Sequence, residues 1–174
     1  MVFNGSKPGG IGGIGIPSPA ELIAGGTEVE TDASGSIETV SIAQGEIWRL
    51  WWCRHTEKLP DDPALHRAVM AYMSDMGLVR TAYQPYEDEV DVIMSASMDH
   101  TLHYHREARA DRWLLFHTET ASSSNALGLV TGRVFTEDAT LCASVLQEAL
   151  VRTEAKYKPP PSKAAAQELP HSKL

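Results

Sequence analysis

Basic residues are scarce in this chain. Its 174 residues include 15 Lys and Arg against 23 Asp and Glu, a formal net charge of -8. Neutralising a run of phosphates takes a basic face, so no nucleic-acid partner is expected. Cysteine is nearly absent as well, with only Cys53 and Cys142. Two thiols cannot build a disulfide framework and show no paired-ligand spacing for zinc, which leaves them as buried thiols in a reducing compartment. No stretch reaches the roughly 18 consecutive apolar residues that a membrane span needs. The amino terminus carries Lys7 and then alternates Gly and Ile, without the continuous apolar segment of a secretory signal. What remains, 43% hydrophobic and 22% charged, is the composition of an ordinary globular protein with one domain and tails.

Residues 1–40 are rich in Gly, Ser, Pro and Thr with little apolar periodicity, and are expected to form a flexible leader. Gly10, Gly12 and Gly15 match G-x-G-x-x-G, but no strand precedes them and no amphipathic helix follows, so the dinucleotide reading lacks its context. Residues 154–174, with Pro159, Pro160 and Pro161, read as an exposed tail. The domain is expected at 41–153. Asp62 and Pro63 open a helix whose apolar stripe is Leu65, Ala68, Val69, Tyr72, Met73 and Met76, ending near Gly77. Strand signals lie at Ile47 to Cys53, Val90 to Met98, Trp113 to Ala121, Leu127 to Phe135 and Leu141 to Val151. One helix with antiparallel strands implies an α+β domain whose sheet wraps the helix.

Three polar residues sit awkwardly in this pattern. Asp75 flanks the helix stripe in what the sequence marks as its last turn, where the macrodipole disfavours a carboxylate. Gln147 interrupts the row Leu141, Ala143, Val145, Ala149, Val151, and a buried amide without partners costs about 1–3 kcal/mol, so something polar should meet it. Ser97 shares a strand face with Ser95 and Ile93, opposite Val92, Met94, Ala96 and Met98. His100, His103 and His105 invite a metal reading, but no carboxylate follows at a ligand spacing, and no metal or cofactor is expected.

Ser74-Asp75, Ala96-Ser97-Met98-Asp99-His100, Tyr104-His105, Asp111 to Leu115 and Ala143 to Glu148, in this order and spacing, resemble the second half of type II acyl-CoA thioesterases. The resemblance covers about residues 44–153 and implies a hotdog fold, a long helix wrapped by an antiparallel sheet. It further implies that Asp75, Ser97 and Gln147 are the catalytic residues. They would orient a water that attacks a fatty acyl-CoA thioester, with Asp75 taking the proton and no acyl-enzyme formed. CoA phosphates would then meet arginines, with Arg106, Arg109, Arg112 and Arg152 available. Ser172-Lys173-Leu174 ends the chain as a peroxisomal import-receptor address does, and members of this family carry such tripeptides.

The pattern departs from the family in three places. Arg106-Glu107-Ala108 replaces the usual residue, Pro and aromatic after Tyr104-His105. Asp138 is followed by Ala139 where the family commonly has Gly, so a different turn is expected, because Ala tolerates positive φ poorly. The first of the family's two hotdog domains has no counterpart here, and the expectation is that two copies pair with continuous sheets. The alternatives are a non-catalytic acyl-CoA-binding or assembly half-domain beside a complete thioesterase, and a hotdog hydratase, which would need an acid and a His together.

Overall fold

A computed structural model of the chain describes residues 15–45 and 47–156. The elements run α1 (Pro19–Ala24), β1 (Glu30–Thr31), β2 (Ile37–Gln44), β3 (Trp48–His55), α2 (Pro63–Tyr83), a 3-10 turn (Gln84–Tyr86), β4 (Val90–Ser97), β5 (Thr101–Tyr104), β6 (Leu114–Ser124), β7 (Leu127–Thr136) and β8 (Leu141–Ala155). All strand pairs are antiparallel in the order β1-β2-β3-β6-β7-β8-β4, and β5 also pairs with β8. The sheet curls around α2, as the α+β reading anticipates.

α2 starts where its capping chemistry dictates. Asp62 accepts the Ala64 N–H at 2.8 Å and Pro63 occupies the first turn. The helix does not stop at Gly77, as the sequence suggests, but runs six residues further to Tyr83. Gly77 instead admits a neighbour. A Cβ there would lie 2.4 Å from the Trp51 ring, so its missing side chain lets the helix sit down on β3. Trp51 in turn stacks on Phe116, with centroids 5.6 Å apart. The buried face is His66, Met70, Met73, Ser74, Gly77, Leu78, Thr81 and Ala82, while Tyr72 and Met76 of the expected stripe are exposed. Reading the stripe by hydrophobicity rotates it, because this helix buries small and hydroxyl residues. Thr81 bonds Thr118 on β6 at 2.9 Å, and Thr120 donates to the Thr81 carbonyl at 2.5 Å.

The flexible-leader expectation fails from residue 19 onward, since α1, β1 and the first half of β2 precede residue 41. Their physical role is on the convex side of the sheet. Ile16, Leu22 and Val29 pack on Val40, Trp52, Leu115 and Phe135, and the Trp52 indole donates to the Pro17 carbonyl at 3.0 Å. A helix of six residues is too short to show a period, so its few apolar residues give no signal. β5 likewise carries too short a pattern to announce a strand, and β8 continues to Ala155, past the expected domain end.

Local geometry differs from expectation at two further positions. A bulge between Val92 and Met94 puts Val92 on the inner face and turns Ile93 out, so Ser97 shares its face with Val92 rather than Ile93. Ala139 does adopt positive φ, +66°, contrary to the expectation of another turn. Its conformation is over-determined by Ala139 N–H to Thr136 O at 2.9 Å and Thr136 N–H to Thr140 O at 3.0 Å, with Asp138 bonded to Thr136 and Thr140.

Candidate active site

The three awkward polar residues meet. Asp75 comes from the middle of α2, two turns before its end, so the macrodipole objection to a carboxylate there disappears. Ser97 is the last residue of β4 and faces Ala149 across the ladder. Gln147 lies on the inner face of β8, fully buried.

Their hydrogen bonds converge on one atom. Ser97 Oγ donates to Asp75 Oδ1 at 3.1 Å and Gln147 Nε2 donates to the same oxygen at 2.8 Å; the second amide N–H goes to Ser97 Oγ. The facing carboxylate fixes the amide orientation, since turning Oε1 toward it would oppose two negative oxygens. Gln147 Oε1 is buried and has no protein partner among the described residues. No described residue bonds Asp75 Oδ2, and the Asp75 side chain is 56% exposed. One carboxylate oxygen is thus held by the protein and the other faces solvent.

The edge of the sheet parts beside this cluster. β4 pairs with the carboxy-terminal half of β8 and β5 with Ala143 to Leu146, leaving Met98 to His100 as a crossing opposite Gln147 and Glu148. The crossing keeps the backbone satisfied: Met98 N–H donates to Glu148 O at 2.8 Å, and Asp99 Oδ1 accepts the Glu148 N–H at 2.9 Å. His100 then swings toward α2. Its Nε2 lies 2.9 Å from Ser74 Oγ and its Nδ1 3.6 Å from Asp75 Oδ1. Ser74 and His100 belong to the family pattern in the sequence, and His100 to the metal candidates, but sequence reasoning gives neither a part in the site around Asp75.

The other candidates scatter. His105 bonds Ser144 at 2.9 Å, His103 is exposed, and among the described residues no group of three or more His, Cys, Asp and Glu could hold a metal. Arg109 is committed to Asp111, Asp61 and the Leu59 carbonyl, and Arg106 donates to the Leu141 carbonyl. Arg109 cannot meet a phosphate without giving up some of those bonds, whereas Arg106 is exposed and keeps further N–H donors. Arg152 lines a separate cavity of about 470 Å³ with Tyr86, Ile93 and Asn125. The cysteines are no nucleophiles: burial pushes the Cys142 thiol up to about 11 and raises Cys53 further, so neither forms a thiolate near neutral pH. Among the described residues no helix is long and apolar enough to cross a membrane. Ser172-Lys173-Leu174 lies outside the described residues, as do Gly10 and Gly12.

Known proteins resemble this chain in sequence and in fold. A family model described as acyl-CoA thioesterase matches residues 38–150. Acyl-coenzyme A thioesterase 8 of Mus musculus is 32% identical over 105 residues, 60% of this chain and 33% of the mouse protein. Acyl-CoA thioesterase 2 of Haemophilus influenzae is 29% identical over 103 residues, 58% of this chain and 36% of its own. The chain therefore spans about a third of the length of the curated relatives it matches. Among solved structures, the acyl-CoA thioesterase II TesB2 of Mycobacterium marinum superposes with a TM-score of 0.66 at 28% identity, covering 81% of this chain and 56% of that one. A hot-dog-fold protein of Alicyclobacillus acidocaldarius shares the fold at a TM-score of 0.60 and 15% identity.

Proposed function

The chain belongs to the acyl-CoA thioesterase family, with a hotdog fold, and from that premise we propose that it hydrolyses fatty acyl-CoA to free acid and CoA at Asp75, Ser97 and Gln147. The observation that carries the proposal is the convergence of Ser97 and Gln147 on Asp75 Oδ1 with Oδ2 left to solvent. A water at Oδ2 gives up a proton to the carboxylate as its oxygen attacks the thioester carbonyl carbon. The tetrahedral intermediate collapses by breaking the C–S bond, and the thiolate leaves readily because a thiol is a far stronger acid than an alcohol. The proton returns from Asp75 to that thiolate. Ser97 and Gln147 hold the carboxylate in one rotamer, so the base is positioned before substrate arrives.

Thiol release from a series of acyl-CoA chain lengths, measured for the whole chain with Asp75→Ala beside it, tests this. Turnover lost in the variant supports the reading. A folded chain that releases no thiol from any chain length favours instead the binding or assembly half-domain.

Pairing with a second copy belongs to the same proposal. β4 is an edge strand of the sheet that exposes Ile93 and Met94 at 58% and 43%, with Met98 just after it at 58%, a combination that soluble proteins usually cover. Native mass should give a homodimer or higher homo-oligomer, and a monomer at micromolar concentration would sink this part. The peroxisomal reading of Ser172-Lys173-Leu174 rests on the motif: a fluorescent fusion bearing the 154–174 tail should enter peroxisomes and lose that localisation when Leu174 is deleted.

A further inference from the structure

We propose that His100 is a positioning residue for the Asp75 carboxylate, anchored by Ser74; the inference rests on the assignment of Asp75 as the base. Ser74 Oγ lies 2.8 Å from the Ala71 carbonyl and 2.9 Å from His100 Nε2, and Ser74 is fully buried. The ring of His100, 23% exposed, is held between this hydroxyl and Asp75 Oδ1, 3.6 Å from Nδ1.

The ring can carry its proton on either nitrogen. With the proton on Nε2, the Ser74 hydroxyl accepts it while donating to the Ala71 carbonyl, but a bare Nδ1 lone pair then faces the carboxylate, which is repulsive. With the proton on Nδ1, the hydroxyl turns from Ala71 to donate to Nε2, and an N–H stands opposite Oδ1. The second arrangement is the favourable one. Asp99, the acidic neighbour of His100, is occupied by the Glu148 N–H and does not compete for the ring.

The order Asp75, His100, Ser74 has the connectivity of a nucleophilic triad, yet Ser74 Oγ is buried in α2 against the Ala71 carbonyl, where no acyl group reaches it. Influence therefore runs from the serine anchor to the carboxylate. With Ser97, Gln147 and His100 all directed at Oδ1, the carboxylate cannot rotate, and Oδ2 stays turned toward water. A separation of 3.6 Å is longer than a hydrogen bond. It is a contact that tightens once substrate excludes water.

The two amide replacements separate the two ends of the ring. His100→Asn keeps an amide near the Nδ1 position, facing Asp75, and loses Ser74. His100→Gln reaches Ser74 from the Nε2 position and leaves Asp75 without its donor. The expectation is that kcat falls about 10- to 100-fold in H100Q with KM unchanged, and falls clearly less in H100N, which loses the anchor but keeps a donor facing Asp75. H100Q with parental kcat, or an equal loss in both variants, overturns the inference. D75A run alongside keeps the readings distinct: an active D75A overturns the base assignment, whereas a dead D75A with an unimpaired H100Q overturns only the role of His100. A second measurement needs no turnover. Long-range 1H–15N spectra of the full chain near neutral pH should show His100 Nδ1 protonated, and an unprotonated Nδ1 overturns the proposal.

Discussion

Gln147→Glu replaces an amide with a carboxyl of nearly the same shape, so it opens no cavity and tests the N–H donors alone. In the parent, Nε2 donates to Asp75 Oδ1 at 2.8 Å from a fully buried side chain. In the variant a carboxyl oxygen meets a carboxylate at that distance. Two unit charges 2.8 Å apart repel by about 6 kcal/mol at an effective dielectric near 20. Asp75 is 56% exposed, and solvent screening reduces the penalty to about 2–3 kcal/mol. The pair relieves it by keeping one proton between two oxygens. Its folded-state pKa is then raised above the ordinary carboxylate value of about 4. Between about pH 4 and the raised value the folded variant binds more protons than the unfolded chain, so the variant loses stability as pH rises through that window and levels off above it. Thermal unfolding from pH 4 to 9 should show parent and Q147E nearly together at the acid end. Near pH 8 they should separate by roughly 5–10 °C. Thiol release near pH 7 should fall by about 100-fold or more, because the base is no longer a free carboxylate. A melting gap that does not change with pH would refute the reasoning, since it would mean that the amide fills space without bonding to the carboxylate.

Gly77→Ala sets a helix-propensity gain of about 1 kcal/mol against an overpacking cost of about 1–3 kcal/mol. The added Cβ lies 2.4 Å from a ring atom of a tryptophan that is itself stacked, so overpacking wins and Tm drops; an unchanged or higher Tm would contradict the close-approach reading. Ala139→Gly should raise stability by about 1 kcal/mol in urea unfolding by relieving positive φ, and a loss would show that the turn carries no strain. Asp111→Asn, whose parent side chain is 5% exposed and bonds Arg109 and the Leu59 N–H, should cost about 2 kcal/mol near neutral pH. Arg109 beside it holds the Asp111 carboxyl well below the usual range. A depressed value contributes stability above about pH 4 that fades as pH falls through the folded value, so the difference between parent and variant should shrink in strong acid. A constant difference from pH 7 to pH 2 would count against that ion pair.

Much of the site is legible because its residues break local rules. Gln147 interrupts an alternating apolar row, and alternation is a property of a strand read alone, so the amide stands out. Asp75 stands out for a reason that proves incorrect, a helix end at Gly77 that the structure moves to Tyr83. Ser97 carries no signal of its own beyond the family pattern, and the β4 bulge that sets its face is invisible in composition. His100 is read as a metal candidate rather than as a neighbour of Asp75 because its partners, Ser74 and Asp75, lie 26 and 25 positions away on another element.

Period and punctuation are local quantities, and they determined the helix start at Asp62 and Pro63, five of the strands and the α+β class. Whether a glycine ends a helix or admits a tryptophan depends on what packs against it, and only the fold brings Trp51 to Gly77. The same holds for the segment before residue 41: its apolar residues are too few to announce a core, yet they acquire one from the convex face of the sheet. For the site, sequence identified the residue types, while the tertiary structure decided that one carboxylate oxygen is held and the other left open. That asymmetry arises because α2, β4, β8 and the crossing after Ser97 arrive from different directions at one side of Asp75.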